Sequence, residues 1–361
     1  MTGKRNYGVD GLRILAMYMI VFFHMQVHGG ISSQIHQEAN GYAAAGFMAI
    51  AAYCAVNCYA LISGYVCVSA RFKWSGILYL WLQVVFYGVL IACVLRIAMP
   101  QNIPGYAWKQ GFLPVIHHNY WYYTAYFAMS FFIPLMNASL YAAPKRELGI
   151  LMIAAVCLFS LFPTILQEDR FSLSNGYSVW WLIILYLLGG YIRLYGQECR
   201  FFGLFARWGL LIYFCVTIAV WLLLTIIQMS GSSSAVVNTM KMDFWLRYDS
   251  PFMLLQACAL LVWFAEAKPS ESVSRWIEKA APLTFGVYLI HDNPHVRENL
   301  IEGSFGWMAE LNAGIYIFVL LGIALVIFAV CMLIDYLRLK LFRYLRIKEA
   351  CQRLFEQIGL P

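Results

Sequence analysis

Residues 12–30 read Leu-Arg-Ile-Leu-Ala-Met-Tyr-Met-Ile-Val-Phe-Phe-His-Met-Gln-Val-His-Gly-Gly, an apolar run interrupted by Arg13, His24, Gln26 and His28. At a rise of about 1.5 Å per residue, a helix of this length approaches the ~30 Å hydrocarbon core of a bilayer. The run has no small-residue cleavage site and contains Arg13 and His24, so it reads as a retained helix rather than a cleaved signal. Nine further segments have the same length and character, at approximately 43–68, 75–98, 120–141, 148–166, 177–195, 207–229, 250–267, 282–300 and 313–337. Composition agrees: 62% of the 361 residues are hydrophobic and only 12% charged, against about 25% charged in a soluble domain. The prediction is an all-α fold, a polytopic transmembrane bundle of about ten helices with lipid as its outer solvent. The segment at 282–300 is the least regular, because Asp292, Asn293, Pro294 and His295 interrupt it. A broken helix there needs protein or water around its exposed backbone.

The net charge of +7 does not point to nucleic acid, because the basic residues fall in short clusters between apolar runs. With ten spans, 19 of the 25 Lys and Arg residues lie on the side of the two termini. Arg96, Lys109, Arg170, Lys241, Arg247 and Arg297 lie opposite. That bias predicts cytoplasmic termini and an inner-membrane, multi-pass protein. The membrane domain is read as 1–346. Residues 347–361 form a basic, amphipathic cytoplasmic tail, read as continuing the last helix along the anionic inner leaflet. Ser250 followed by Pro251 reads as a helix start with Ser250 as N-cap. The ten cysteines lie in apolar segments or on the inner side; Cys54 and Cys58 are one turn apart, but nothing near them completes a metal site. Neither disulfide nor metal is predicted.

Ionisable residues inside a membrane are costly and so are candidates for function. Arg13 and His24 are eleven positions apart, almost three helical turns. The two therefore share a face about 16 Å apart, with Asp10 near the same stripe. One face thus has a cation near the inner end and a titratable base toward the outer end. Arg13 also reads as a positive-inside anchor, with Asp10 as its ion-pair partner or a helix cap. His24 reads alternatively as an interhelical hydrogen-bond partner.

The stretch Tyr7-Gly8-Val9-Asp10-Gly11-Leu12-Arg13 with His24 resembles the first helix of the acyltransferase family 3 membrane proteins, whose arginine and histidine are separated by ten residues. Asn57-Cys58-Tyr59-Ala60-Leu61-Ile62-Ser63-Gly64-Tyr65 is similar to that family's second-helix run ending in Ser-Gly-Phe/Tyr. Thr284-Phe285-Gly286-Val287-Tyr288-Leu289-Ile290-His291 is similar to its late motif ending in histidine. The resemblance spans essentially the whole chain. It implies O-acyl transfer from cytoplasmic acyl-CoA, usually acetyl-CoA, to a hydroxyl of a cell-surface or lipid-linked glycan. It also implies that His24 is the catalytic base or a transient acyl carrier, and that Arg13 supports the donor. An imidazole with an ordinary pKa of about 6.5 suits either role.

Arg71 and Lys73, beside the second motif, could pair with CoA phosphates or be ordinary positive-inside residues. His291 reads as a site residue or as a structural partner of Asp292. Trp121 and Tyr122 are interface anchors or a sugar-stacking surface. Asn57, Ser63 and Tyr288 belong to the motifs and are candidates for substrate binding. His28, His36, His117, His118 and His295 also fall in the outer half, with no ligand spacing that recommends a metal. A rival reading from another class is a transporter of a small polar solute, and a second is a membrane scaffold without catalysis. Neither inverted repeats nor paired broken helices are evident in the sequence.

Overall fold

The computed structural model describes residues 5–35, 41–229 and 245–359. Lys4, His36 and Lys241, assigned to sides of the membrane above, lie outside them. Every regular element among the described residues is helical. The main ones are α1 (Tyr7–His28), α2 (Tyr42–Tyr53), α3 (Ala55–Cys67), α4 (Trp74–Ala98), α5 (Trp121–Ser130), α6 (Ile133–Ala142) and α7 (Lys145–Leu166). They continue as α8 (Val179–Tyr195), α9 (Arg200–Met229), α10 (Pro251–Glu266), α11 (Glu271–Ala280), α12 (Thr284–His291), α13 (Ala313–Tyr344) and α14 (Ile347–Gln357).

Among the described residues, seven helices are long and apolar enough to cross a membrane, and α5 with α6 makes an eighth if that pair, bent by 57°, is one span. The other two expected spans are shorter. α10 has 16 residues and begins where predicted, with Ser250 at the N-cap and Pro251 in the first turn. The Ser250 hydroxyl makes no capping bond and is buried without a partner among the described residues. α12 stops after eight residues at His291, where Asp292, Asn293 and Pro294 follow. The sequence showed only that interruption, whereas the chain also turns at Cys54 between α2 and α3, bends between α5 and α6, and takes a π turn at Cys157–Leu161 inside α7.

α1 is the central element, surrounded by α2, α3, α10, α12 and α13, while α9 and α13 turn most of their surface outward. Asn6, not Asp10, caps α1: its side-chain oxygen accepts from the Val9 N–H at 3.1 Å. α3 and α8 pack with their backbones touching. A Cβ on Gly64 would strike the Tyr186 carbonyl, and one on Gly189 would strike the Leu61 carbonyl. In lipid, where apolar burial does not drive helices together, such close approach is what holds a pair.

The last segment departs from the expectation that it continues α13. Arg346 takes a left-handed conformation with φ +50°, which breaks the helix. α14 then folds back against α4 with Cys351 buried. Next to this turn, Arg338 and Asp335 form a buried two-point ion pair at 2.9 and 2.6 Å, and Tyr87 donates to the same carboxylate at 2.8 Å. Gly286 of the late motif lies against that carboxylate, where any Cβ would overlap it.

Gly64→Ala is therefore expected to force α3 from α8 and cost about 1–3 kcal/mol, as overpacking does. Gly322→Ala, where an added Cβ meets nothing within 4 Å, should leave the melting temperature in detergent unchanged or slightly higher. Size-exclusion thermal melts of both variants check this.

Candidate active site

α1 and α12 bring two imidazoles together. His291 is held by its Nδ1, 2.7 Å from the Val287 carbonyl oxygen one turn earlier. A carbonyl only accepts, so His291 Nδ1 carries a proton and, in the neutral ring, Nε2 bears a lone pair. His24 Nδ1 lies 3.1 Å from that Nε2 and donates into it. The remaining nitrogen of neutral His24, Nε2, is consequently a lone-pair base. Asp292 Oδ1 stands 3.5 Å from His24 Nδ1 and 3.3 Å from an Arg297 nitrogen. A proton gained by His24 would therefore form beside a carboxylate.

The end of α12 makes this arrangement feasible. Asn293 donates to the Tyr120 hydroxyl at 2.8 Å, and that hydroxyl donates to the Leu289 carbonyl at 2.8 Å. The Asn293 side-chain oxygen accepts from the His295 N–H at 3.0 Å. Backbone groups released by the break are thus met by protein, as they must be at membrane depth.

His24 lines a space of about 40 Å³ with Met17, Ile20, Tyr59, Trp121, Tyr122, Tyr248, Phe285 and Tyr288. On α1 the residues Arg13, Met17, Ile20 and His24 form one stripe. The buried hydroxyls of Tyr122 and Tyr288 have no hydrogen-bond partner among the described residues. Two buried donors without partners beside a lone-pair imidazole suit a ligand that develops negative charge on oxygen. Trp121 and Tyr248 stack at 5.5 Å and 19°, and Tyr53 and Tyr177 pack on the same tyrosine at 4.8 and 4.9 Å. Tyr248 is flanked by a buried two-point pair, Arg247 with Asp249 at 2.8 and 2.6 Å.

At the other end of the stripe, Arg13 pairs with Asp10 at 3.0 Å, and Arg5 pairs with the same carboxylate at 2.6 Å. Its main-chain carbonyl accepts from the Tyr59 hydroxyl at 2.9 Å. A second cavity, of about 390 Å³, opens at this end and is lined by Cys67, Arg71, Lys73, Tyr79, Tyr126 and Ser130 among others. Tyr126 of this lower cavity and Tyr122 of the upper one are one turn apart on α5 and stack at 6.1 Å. A layer of tyrosine rings thus separates the two spaces.

Of the residues singled out from sequence, His24, Trp121, Tyr122 and Tyr288 line one space, with His291 in hydrogen-bond contact behind it. Arg71 and Lys73 lie together at the lower cavity. Asn57 is fully buried and faces inward: its amide donates to the Tyr248 carbonyl at 2.7 Å, and its oxygen accepts from Trp181 Nε1 at 3.1 Å. The Ser63 hydroxyl donates to the Tyr59 carbonyl at 2.9 Å. Tyr59, Tyr248 and Phe285 were not singled out; Tyr59 and Phe285 sit inside the two motifs, which was their available signal. His24, His28 and Asp292 offer ligand atoms within 4.8 Å of one another, a set able to take a metal ion, although Arg297 already places a positive charge against Asp292.

The family model described as an acyltransferase domain, that of acyltransferase family 3, matches residues 6–344, from the cap of α1 to the end of α13. The chain belongs to this family. No curated protein and no solved structure matches it.

Asn57→Ala would leave the Trp181 N–H and the Tyr248 carbonyl unpaired in the interior, at about 1–3 kcal/mol for each group. Its melting temperature should fall well below wild type. A melt followed by tryptophan fluorescence checks this, and an unchanged melt would contradict the buried bonds.

Proposed function

We propose that this acyltransferase is an O-acyltransferase that moves a short acyl group, acetyl in the simplest case, from cytoplasmic acyl-CoA to a hydroxyl of a cell-surface or lipid-linked glycan. The observation that carries the reading is the lone-pair nitrogen of His24 sharing a small space with the unpartnered hydroxyls of Tyr122 and Tyr288. The volume, about 40 Å³, holds roughly two or three waters and suits a two-carbon acyl group better than a long chain. A sugar ring is too large for it, so the acceptor presents one hydroxyl from the aromatic side formed by Trp121 and Tyr248.

In this reading the basic end of the bundle, with both termini, faces the cytoplasm of an inner membrane. Acyl-CoA approaches at Arg71 and Lys73, with Arg13 beside the tyrosine layer, and its thioester reaches the space at His24. His24 Nε2 takes the proton of the acceptor hydroxyl as the oxygen attacks the thioester carbonyl. The Tyr122 and Tyr288 hydroxyls donate to the oxyanion that forms. The imidazolium is steadied by His291 and Asp292. When the tetrahedral adduct collapses, the C–S bond breaks, and the proton on His24 passes to the departing CoA thiolate.

The direct test is acyl transfer from labelled acetyl-CoA by the purified protein in liposomes, with mass spectrometry of surface glycans from cells with and without it. His24→Ala should fold normally and lose transfer by about 10²–10⁴-fold or more. Tyr122→Phe should lower kcat by roughly tenfold to several-hundredfold, with the KM for acyl-CoA little changed. Full activity in His24→Ala would remove the base from the mechanism. Solute uptake without acyl-CoA consumption would replace the enzyme by a transporter.

A further inference from the structure

A third cavity, of about 490 Å³, lies at the basic end between α4, the last turns of α13, and α14. Its size is that of a small-molecule site. Tyr79, Gln83, Arg338, Phe342, Arg343 and Lys348 line it, and Glu349 is the one carboxylate in its wall. Asp335 answers the charge of Arg338, but Arg343 and Lys348 have no ion-pair partner among the described residues. Gln83 is 95% buried, and its amide has no hydrogen-bond partner among the described residues. The Gln83 amide, with two donors and an acceptor, lines the cavity beside two cations that have no ion-pair partner among the described residues. Tyr79 and Phe342 stand edge to face at 5.9 Å, and the Arg338 guanidinium lies 5.2 Å from the Phe342 ring. Tyr79 also lines the lower cavity at Arg71 and Lys73, so the two spaces adjoin through one side chain. α14, which supplies Lys348, lies beyond residues 6–344 matched to the family.

We propose that this cavity takes the phosphate-bearing nucleotide end of the acyl-CoA donor, and that the folded-back helix α14 is one wall of that site. This rests on the acyl-CoA reading above. Arg343 and Lys348 meet the phosphates, the Gln83 amide and the two rings meet the base, and the pantetheine arm runs past Tyr79 into the cavity beneath Arg13. The headgroup of an anionic phospholipid offers the same phosphate chemistry and is the occupant the experiment must exclude.

The test uses the full chain in nanodiscs of phosphatidylcholine alone, with binding of acetyl-CoA and of 3′-dephospho-acetyl-CoA measured calorimetrically. The double variant Arg343→Ala/Lys348→Ala changes two exposed side chains. It is expected to weaken acetyl-CoA binding about tenfold or more and to shrink the preference for the 3′-phosphorylated donor. Gln83→Leu should weaken both donors. Arg353→Ala, exposed on α14 but outside the cavity, should bind like wild type. If the double variant binds acetyl-CoA as wild type does, the inference fails while the acyl-CoA reading stands. If it does so but retains less co-purified anionic phospholipid, the cavity belongs to a lipid headgroup. If wild type itself binds no acyl-CoA, the proposed function fails and takes this inference with it.

Discussion

The hydrogen bond between His24 and His291 is the contact on which the site depends, and its direction is set by a backbone carbonyl. Because the Val287 oxygen can only accept, the proton positions propagate outward: Nδ1–H on His291, a lone pair on its Nε2, Nδ1–H on His24, and a lone pair on the far nitrogen of His24. A single main-chain atom thus selects the tautomer of a side chain on another helix. The relay sits in the last turn of α12, and the break just after it is held by Tyr120 and Asn293.

The distribution of charge follows the same economy. Deep in the bundle the cations are paired, Arg338 with Asp335 and Arg247 with Asp249, and the half-buried Arg13 is paired with Asp10. Removing one partner of such a pair leaves a buried charge uncompensated, which is far costlier than the pair itself. Among the cations without an ion-pair partner in the described residues, Arg71, Lys73, Arg343 and Lys348 line the two cavities at one end. Arg13 belongs to both groups, since it is ion-paired as an anchor would be and also stands beside the tyrosine layer. Its two sequence readings are therefore compatible.

Much of the fold was legible because it depends on local pattern. Hydropathy located the helices, and the eleven-residue spacing placed Arg13 and His24 on one stripe, where Met17 and Ile20 fill the positions between them. The motifs carried Tyr288 and His291 to the right helix. What could not be read were contacts set by the arrangement of helices. Tyr248 closes the space above His24 from a loop far along the chain, and Asn57 is tied to it by one hydrogen bond. Periodicity cannot predict which distant backbone a side chain will meet. The bend at Phe131–Phe132 has a local signal, Pro134 in the first turn of α6, whereas the left-handed Arg346 has no Pro or Gly beside it.

The two spaces along α1 differ in a way that bears on what can pass between them. The lower one has room for a charged ligand and cations to receive it, whereas the upper one is small and mostly ringed by aromatic side chains. Between them stand Tyr59, Tyr122 and Tyr126. Moving a whole phosphorylated donor through that layer would strip its charges of partners in a low-dielectric interior. Moving only a neutral acyl group on a slender thiol arm would not. On the acyl-CoA reading proposed above, the bond exchanged therefore lies in the space at His24 just beyond the tyrosine layer, with the donor's charge kept on one side and the acceptor on the other.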